Sequence, residues 1–165
     1  MAKRGYRGGH PYNDMKVSKH SESTSKRNPK LDAEYAKLHP KQKYSYIRDH
    51  QGFFPQATAT IVCHGNNDDE ETITIISTDG TSVTYTGEDD GTTASANKFN
   101  TGGNDVAAAT GLKTCIEHAS GHNGKILVSR DSATLTLTQR DPGPDGNTVI
   151  TSGLTGGSKT DFTGG

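Results

Sequence analysis

From residue 57 onward the chain alternates Thr or Ser with apolar residues in short bursts. Residues 57–63 (ATATIVC), 72–77 (TITIIS), 82–86 (SVTYT), 125–129 (KILVS), 133–138 (ATLTLT) and 147–151 (NTVIT) repeat with a period near two. Such alternation predicts strands with one face on a core and one in water, and Thr suits the wet face because its β-branched side chain favours extended backbone. Turn chemistry separates the bursts: residues 64–69 (HGNNDD), the hairpin signal Asp79-Gly80, the pair Arg130-Asp131 and the cluster 142–146 (PGPDG). A further short strand is expected at 96–100. Between the two groups of strands the period changes. Val106, Ala109, Leu112, Cys115/Ile116 and Ala119 recur every three or four residues, which predicts one amphipathic helix over about 104–118, capped by Asn104 or Asp105. The predicted order is β-β-β-(β)-α-β-β-β, with the Val106/Leu112/Ile116 stripe buried across antiparallel sheets and Phe162 closing the core. The fold class is therefore α+β or mainly β, a compact antiparallel, sandwich-like domain over 57–165.

Residues 1–56 carry no such pattern. Gly, Pro, Asn and Ser punctuate 1–30, which predicts irregular or extended backbone. Residues 31–48 (LDAEYAKLHPKQKYSYIR) hold the makings of two short helical turns. Asp32 is placed to cap the first, Leu31, Tyr35 and Leu38 are spaced i, i+4, i+7, and Pro40 interrupts. Gly52-Phe53-Phe54-Pro55 reads as a hinge with an aromatic pair.

Charge sharpens this division. Residues 1–56 hold 12 Lys/Arg against 5 Asp/Glu, a net +7, whereas residues 57–165 hold 6 against 14, a net −8. The overall charge of −1 conceals a strong dipole along the chain, the signature of an interaction arm on a folded module. Five of the six Tyr lie in the basic piece, an uneconomical composition for a tail that only solvates. Leu, Ile, Val and Phe make up 25 of the 165 residues, so the core is thin and assembly with a partner is expected to add stability.

Cys63 and Cys115 stand apart, without a CxxC or a secreted-type framework, and are read as reduced core thiols in preference to a Cys63–Cys115 bridge. Residues 1–20 lack the apolar segment of a signal peptide, and no run approaches a membrane span. The expectation is a protein made in a cytoplasm, with no membrane partner.

The candidate chemistry is sparse. His118 and His122 are four apart, as in a helical metal pair, but Gly121 breaks the helix between them and no third ligand is evident. The acidic runs 68–71 (DDEE) and 88–91 (EDDG) lack the alternating ligand spacing of a calcium loop and read as solvated acidic faces. Gly5, Gly8 and Gly9 (KRGYRGG) are not followed by the Lys-Ser/Thr of a phosphate loop. They are closer to an Arg-Gly nucleic-acid segment or to a peptide arm laid on an acidic groove. No nucleophile–base arrangement is visible, so no catalytic, cofactor or metal residue is assigned and an enzyme is not expected. The candidate partner-binding residues are the arm's anchors: Arg4, Tyr6, Arg7, Tyr12, Tyr35, Tyr44, Tyr46, Phe53 and Phe54.

The sequence of elements resembles a small domain of structural proteins from tailed bacteriophages, notably marine and cyanobacterial ones. The residues that carry the resemblance are Thr72-Ile73-Thr74-Ile75, Asp79-Gly80-Thr81-Ser82-Val83-Thr84-Tyr85, the Ala-rich helix from Val106 to Ile116, residues 133–139 (ATLTLTQ), residues 146–150 (GNTVI) and the closing Phe162-Thr163-Gly164-Gly165. It covers about 57–165 and leaves the arm unaccounted for. It implies a virion structural module without catalytic residues. On that footing the expected function is a capsid decoration or cement protein, present in many copies, singly or as a homo-oligomer, whose arm clamps neighbouring subunits of the major capsid protein or another virion protein. The alternatives are a head–tail, tail or fibre-attachment component and, from another class, a nucleic-acid-binding module that uses the basic arm.

Overall fold

The computed structural model describes residues 29–39, 42–43, 46, 54–65 and 70–165. The alternating bursts pair into two four-stranded sheets. One has the order β5-β6-β1-β8, from β1 (Thr58–Val62), β5 (Ile126–Asp131), β6 (Thr134–Gln139) and β8 (Ser158–Lys159). The other has the order β4-β3-β2-β7, from β2 (Thr72–Ile76), β3 (Ser82–Glu88), β4 (Lys98–Asn100) and β7 (Thr151–Ser152). The main helix, Asp105–Glu117, is α2, and a shorter helix before the sheets, Pro29–Ala36, is α1. The protein is thus β-rich with one main helix, as its patterning predicts.

Register follows from the period of two. Ile61 faces Leu135 and Ala59 faces Leu137 across β1–β6, while Ile73 faces Tyr85 and Ile75 faces Val83 across β2–β3. A slip of one residue would turn every one of these apolar side chains into water. The inner faces of both sheets contribute to one core with Leu112, Cys115 and Ile116 of α2. The outer faces carry ladders of Thr. Thr58 pairs with Thr138 and Thr60 with Thr136 on one sheet, Thr72 with Thr86 and Thr74 with Thr84 on the other. The Thr74 and Thr84 hydroxyls are 2.8 Å apart, a cross-strand hydrogen bond of the kind that stabilises sheet faces.

Asn104 settles the choice of cap for α2: its side chain accepts from the Ala107 N–H at 3.0 Å. Asp105 instead accepts from the Gly65 N–H at 3.0 Å and ties the loop after β1 to the helix. The helix buries Ala108, Ala109, Gly111, Leu112, Cys115 and Ile116. Val106, expected in that stripe, is 40% exposed, and Ala119 is also exposed. Val106 lies in the first turn, and Ala119 lies past the helix end, where the period of 3.6 no longer holds. The small buried residues let the helix approach β4 closely. A Cβ at Gly111 would lie 2.7 Å from the Thr92 hydroxyl and 3.1 Å from the Asn100 nitrogen.

Three further details depart from the sequence reading. β4 pairs with β3 in parallel, because the loop after β3 and the 3-10 turn Ala94–Ala96 carry the chain back beside Thr86, from where β4 runs in the same direction as β3. The predicted strand 147–151 reduces to Thr151–Ser152: the Thr148 and Asn147 side chains bond elsewhere, to the Ile76 and Gly165 carbonyls. The two-residue β8 was not expected, since Gly-rich flanks give it no period of its own; its register, Ile61 to Lys159, is set by β1. Phe162 is 2% exposed and completes the core as anticipated.

One buried polar residue joins the sheets. Gln139, fully buried at the end of β6, accepts from the Thr78 N–H at 3.0 Å and donates to the Ile76 carbonyl at 2.9 Å. Ile76 ends β2 and Thr78 follows it in the β2–β3 turn, so a satisfied amide fixes the relative position of two sheets that share no strand.

The turn after α2 is as tightly built. Gly121 sits where a Cβ would come within 2.1 Å of the Cys115 carbonyl oxygen and 3.0 Å of the Tyr85 hydroxyl. We expect Gly121→Ala to destabilise the protein by about 1–3 kcal/mol, because the obstacle is helix backbone that cannot rotate aside. A thermal melt of the variant checks this, and an unchanged midpoint would show that the turn has room to give.

Candidate interaction surface

The candidate surface lies where the arm meets the body. α1 begins with Pro29 in its first turn, a position that needs no N–H and suits the fixed φ of Pro. Asp32, expected to cap, therefore falls inside the helix. The first turn after Pro40 also forms, with Gln42, Lys43 and Tyr46 helical. The spacing brings Tyr35 onto the body side, where it is 3% exposed. Its ring meets Phe54 at 5.6 Å and Tyr46 at 6.5 Å between centroids, and Tyr46 meets Phe54 edge-on at 6.0 Å. Such tilted and edge contacts suit the ring quadrupoles.

Polar contacts fasten the same cluster to the 3-10 turn Pro144–Gly146 between β6 and β7. The Tyr35 hydroxyl donates to Asp145 Oδ2 at 2.7 Å, and Lys43 Nζ lies 3.3 Å from both Asp145 oxygens. Lys43 also stands 4.7 Å above the Tyr35 ring. Burial, then the hydrogen bond and charge of Asp145, push the Tyr35 hydroxyl well above its ordinary pKa, so it remains a proton donor at any physiological pH. Farther along, the Gly143 N–H donates to the Pro55 carbonyl at 3.0 Å and Gln56 donates to the Arg140 carbonyl at 2.7 Å. The contacts therefore cross the boundary read at residue 56.

Of the anchors named from the sequence, Tyr35, Tyr46 and Phe54 come together in this cluster. Arg4, Tyr6, Arg7, Tyr12, Tyr44 and Phe53 lie outside the described residues, as do the glycines of KRGYRGG and the Asp68-Asp69 part of the first acidic run. Asp145 and Lys43 were missed. Asp145 stood in PGPDG, which reads only as a turn, and its partner is 110 residues away.

The body's lysines are all engaged by its own carboxylates. Lys98 pairs with Glu88, Lys113 with Glu117 and Lys159 with Asp161, and Lys125 lies 2.8 Å from Asp79. Lys125 and the Ser77 hydroxyl hold the Asp79 carboxyl well below the usual carboxylate range, and Lys159 and the Ile150 N–H lower that of Asp161. The surplus of body carboxylates is therefore uncompensated from within, and the cation beside Asp145 comes from the arm side of the chain.

The remaining candidates do not converge. His118 Nδ1 bonds the Ser120 hydroxyl at 2.8 Å, while the His122 ring is buried between Tyr85 and Thr81. Glu71 accepts from Thr155. Both Cys are free and buried, and burial pushes the Cys63 thiol up to about 12, with help from Asp105, and the Cys115 thiol up to about 11. Neither forms a nucleophilic thiolate near neutral pH. Among the described residues no three His, Cys, Asp or Glu side chains cluster as a metal site, and no helix is long and apolar enough to cross a membrane. Compared with family models, curated proteins and solved structures, the chain matches none.

Proposed function

We propose that this chain is a virion structural protein of a tailed bacteriophage, a capsid decoration or cement protein whose basic N-terminal arm binds neighbouring subunits. The observation that supports the reading best is the division of charge, together with the root that fastens the two parts. Residues 1–28 hold 7 Lys/Arg and 2 Asp/Glu ahead of a segment that Tyr35, Lys43 and Phe54 tie to an acidic body. A root of this kind lets a bound arm transmit its hold to the body. Twenty-eight residues reach at most about 3.3–3.6 Å each, on the order of 90–100 Å, which is enough to leave the subunit beneath and engage the next. Ordering them costs about 1–2 kcal/mol per residue in backbone entropy, so the contact surface must be long. Arg4, Tyr6, Arg7 and Tyr12 are its anchors. The acidic body faces outward, where like charge keeps densely repeated particles apart.

Deleting residues 1–28 tests this reading. We expect the deletion variant to keep the melt of the full chain and to lose binding to particles stripped of the protein, measured by co-sedimentation. Decoration equal to that of the full chain would sink the proposal. A full chain that instead binds duplex DNA, with an affinity falling steeply with salt, would place it among nucleic-acid-binding modules.

A further inference from the structure

His122 is, with Gln139, one of two fully buried polar residues among those described. It is 0% exposed, in the turn between α2 and β5. Its backbone N–H donates to the Ile116 carbonyl at 2.7 Å, which ties the turn to the end of α2. The ring bridges to the other sheet at two points. Nε2 lies 3.1 Å from the Thr81 carbonyl in the β2–β3 turn, and Nδ1 lies 2.7 Å from the Tyr85 hydroxyl on β3.

These partners dictate the proton. A carbonyl only accepts, so Nε2 carries the hydrogen. Nδ1 is then bare and accepts from Tyr85, whose hydroxyl is buried and held far above its ordinary pKa, chiefly by burial. The neutral ring satisfies both partners. A second proton on Nδ1 would face the Tyr85 O–H with a donor and place a charge in the core.

Among the described residues, the carboxylate that acts on the ring is already engaged by other partners. Asp79, in the β2–β3 turn, is engaged by Lys125, the Ser77 hydroxyl at 2.7 Å and the Thr81 N–H at 3.0 Å. Lys125, just before β5, is itself a cation. From α2 come the Cys115 thiol, which points to the Lys98 carbonyl, and Glu117, which pairs with Lys113. His118 is bound to Ser120, and Arg140 of the chain after β6 donates to the Gly124 carbonyl. Burial, followed by Lys125, lowers the basicity of the ring, and the Thr81 contact and Asp79 only partly offset this.

We propose that His122 is an acid-operated latch, which in its neutral form clamps the β2–β3 hairpin to the α2–β5 turn and on protonation releases it. The sign follows from linkage. The folded-state pKa lies below the unfolded value of about 6.5, so the stabilisation is complete above that pH and is lost as pH falls below it toward the folded pKa. The body is then firm in a neutral medium and loosens in an acidic one, independently of what the arm binds.

Thermal melts of the full chain and of His122→Gln test the latch. Gln presents one acceptor and one donor and cannot titrate. We expect the wild type to lose about 4–8 °C between about pH 7.5 and about pH 5, and the variant, lower at neutral pH, to lose less than half as much. Equal losses would overturn the proposal, since the exposed His and carboxylates would then account for the whole effect. Should the variant not fold, the His122 ring signals of the wild-type protein decide by NMR. A ring that holds the Nε2–H form well below about pH 6.5, until the body loosens, supports the latch, and a ring that takes up its second proton near that pH with the fold intact overturns it.

Discussion

Leu112→Asp is expected to abolish folding of the body at room temperature. Leu112 is 0% exposed on the face of α2 that meets both sheets, beside Ile116 and the close approach at Gly111. The substitution removes about 2–5 kcal/mol of burial and cavity energy. It also buries a carboxylate without a partner, which costs several kcal/mol more or forces protonation. The sum is comparable to the ~5–15 kcal/mol that holds a domain of this size together. Ile116→Asp is expected to behave alike. Val106→Asp, on the exposed first turn, should be nearly silent and should even favour the positive end of the helix dipole. Lys113→Asp falls between. Lys113 donates to the Val128 carbonyl at 2.8 Å and pairs with Glu117 on the next turn, so reversal of its charge is expected to cost about 1–2 kcal/mol. Circular dichroism melts of the four variants check the ranking. Equal midpoints for Leu112→Asp and Val106→Asp would show that α2 presents a different face.

What the sequence makes legible is whatever repeats locally. The Thr–apolar alternation of TITII and TLTLT marks β2 and β6, and Asp79-Gly80 marks the hairpin, because strand register and turn conformation are written in adjacent residues. The helix is legible from Asn104 to its end for the same reason. Val106 misleads because a periodic pattern cannot say on which turn the helix leaves the core. β8 has no local signal: Ser158 and Lys159 are strand only because Val62 and Ile61 hold them. Gln139 reads as the last polar residue of a strand, and its role in joining the sheets depends on Thr78 and Ile76, which are 61 and 63 residues away. Asp145 is hidden in the same way. The candidate surface is thus half legible. Its aromatic anchors stand out by composition, whereas the acidic residue that receives them looks like any turn Asp.

That half-hidden contact sets the expected behaviour of shortened chains. Cutting before α1, at residue 28, leaves Tyr35, Lys43 and Tyr46 in place, and the melt of the body should not change. Cutting at residue 50 removes all three. Phe54, now 4% exposed beneath Tyr35 and Tyr46, would then face water, and Asp145 would lose both its Tyr hydroxyl and its Lys. The same contact can be broken by a single change. Tyr35→Ala deletes a buried ring and a charge-assisted hydrogen bond, a loss of about 3–5 kcal/mol if the root stays docked and less if α1 simply detaches. Tyr35→Phe keeps the ring and should cost about 1–2 kcal/mol, leaving the Asp145 carboxylate to Lys43 alone. The expected order of midpoints is therefore full chain and 29–165 together, Tyr35→Phe below them, and Tyr35→Ala close to 51–165. The last two agree because both measure the same event, the loss of the root from the Asp145 turn. If 51–165 melts with the full chain, the root contributes nothing to the body's stability.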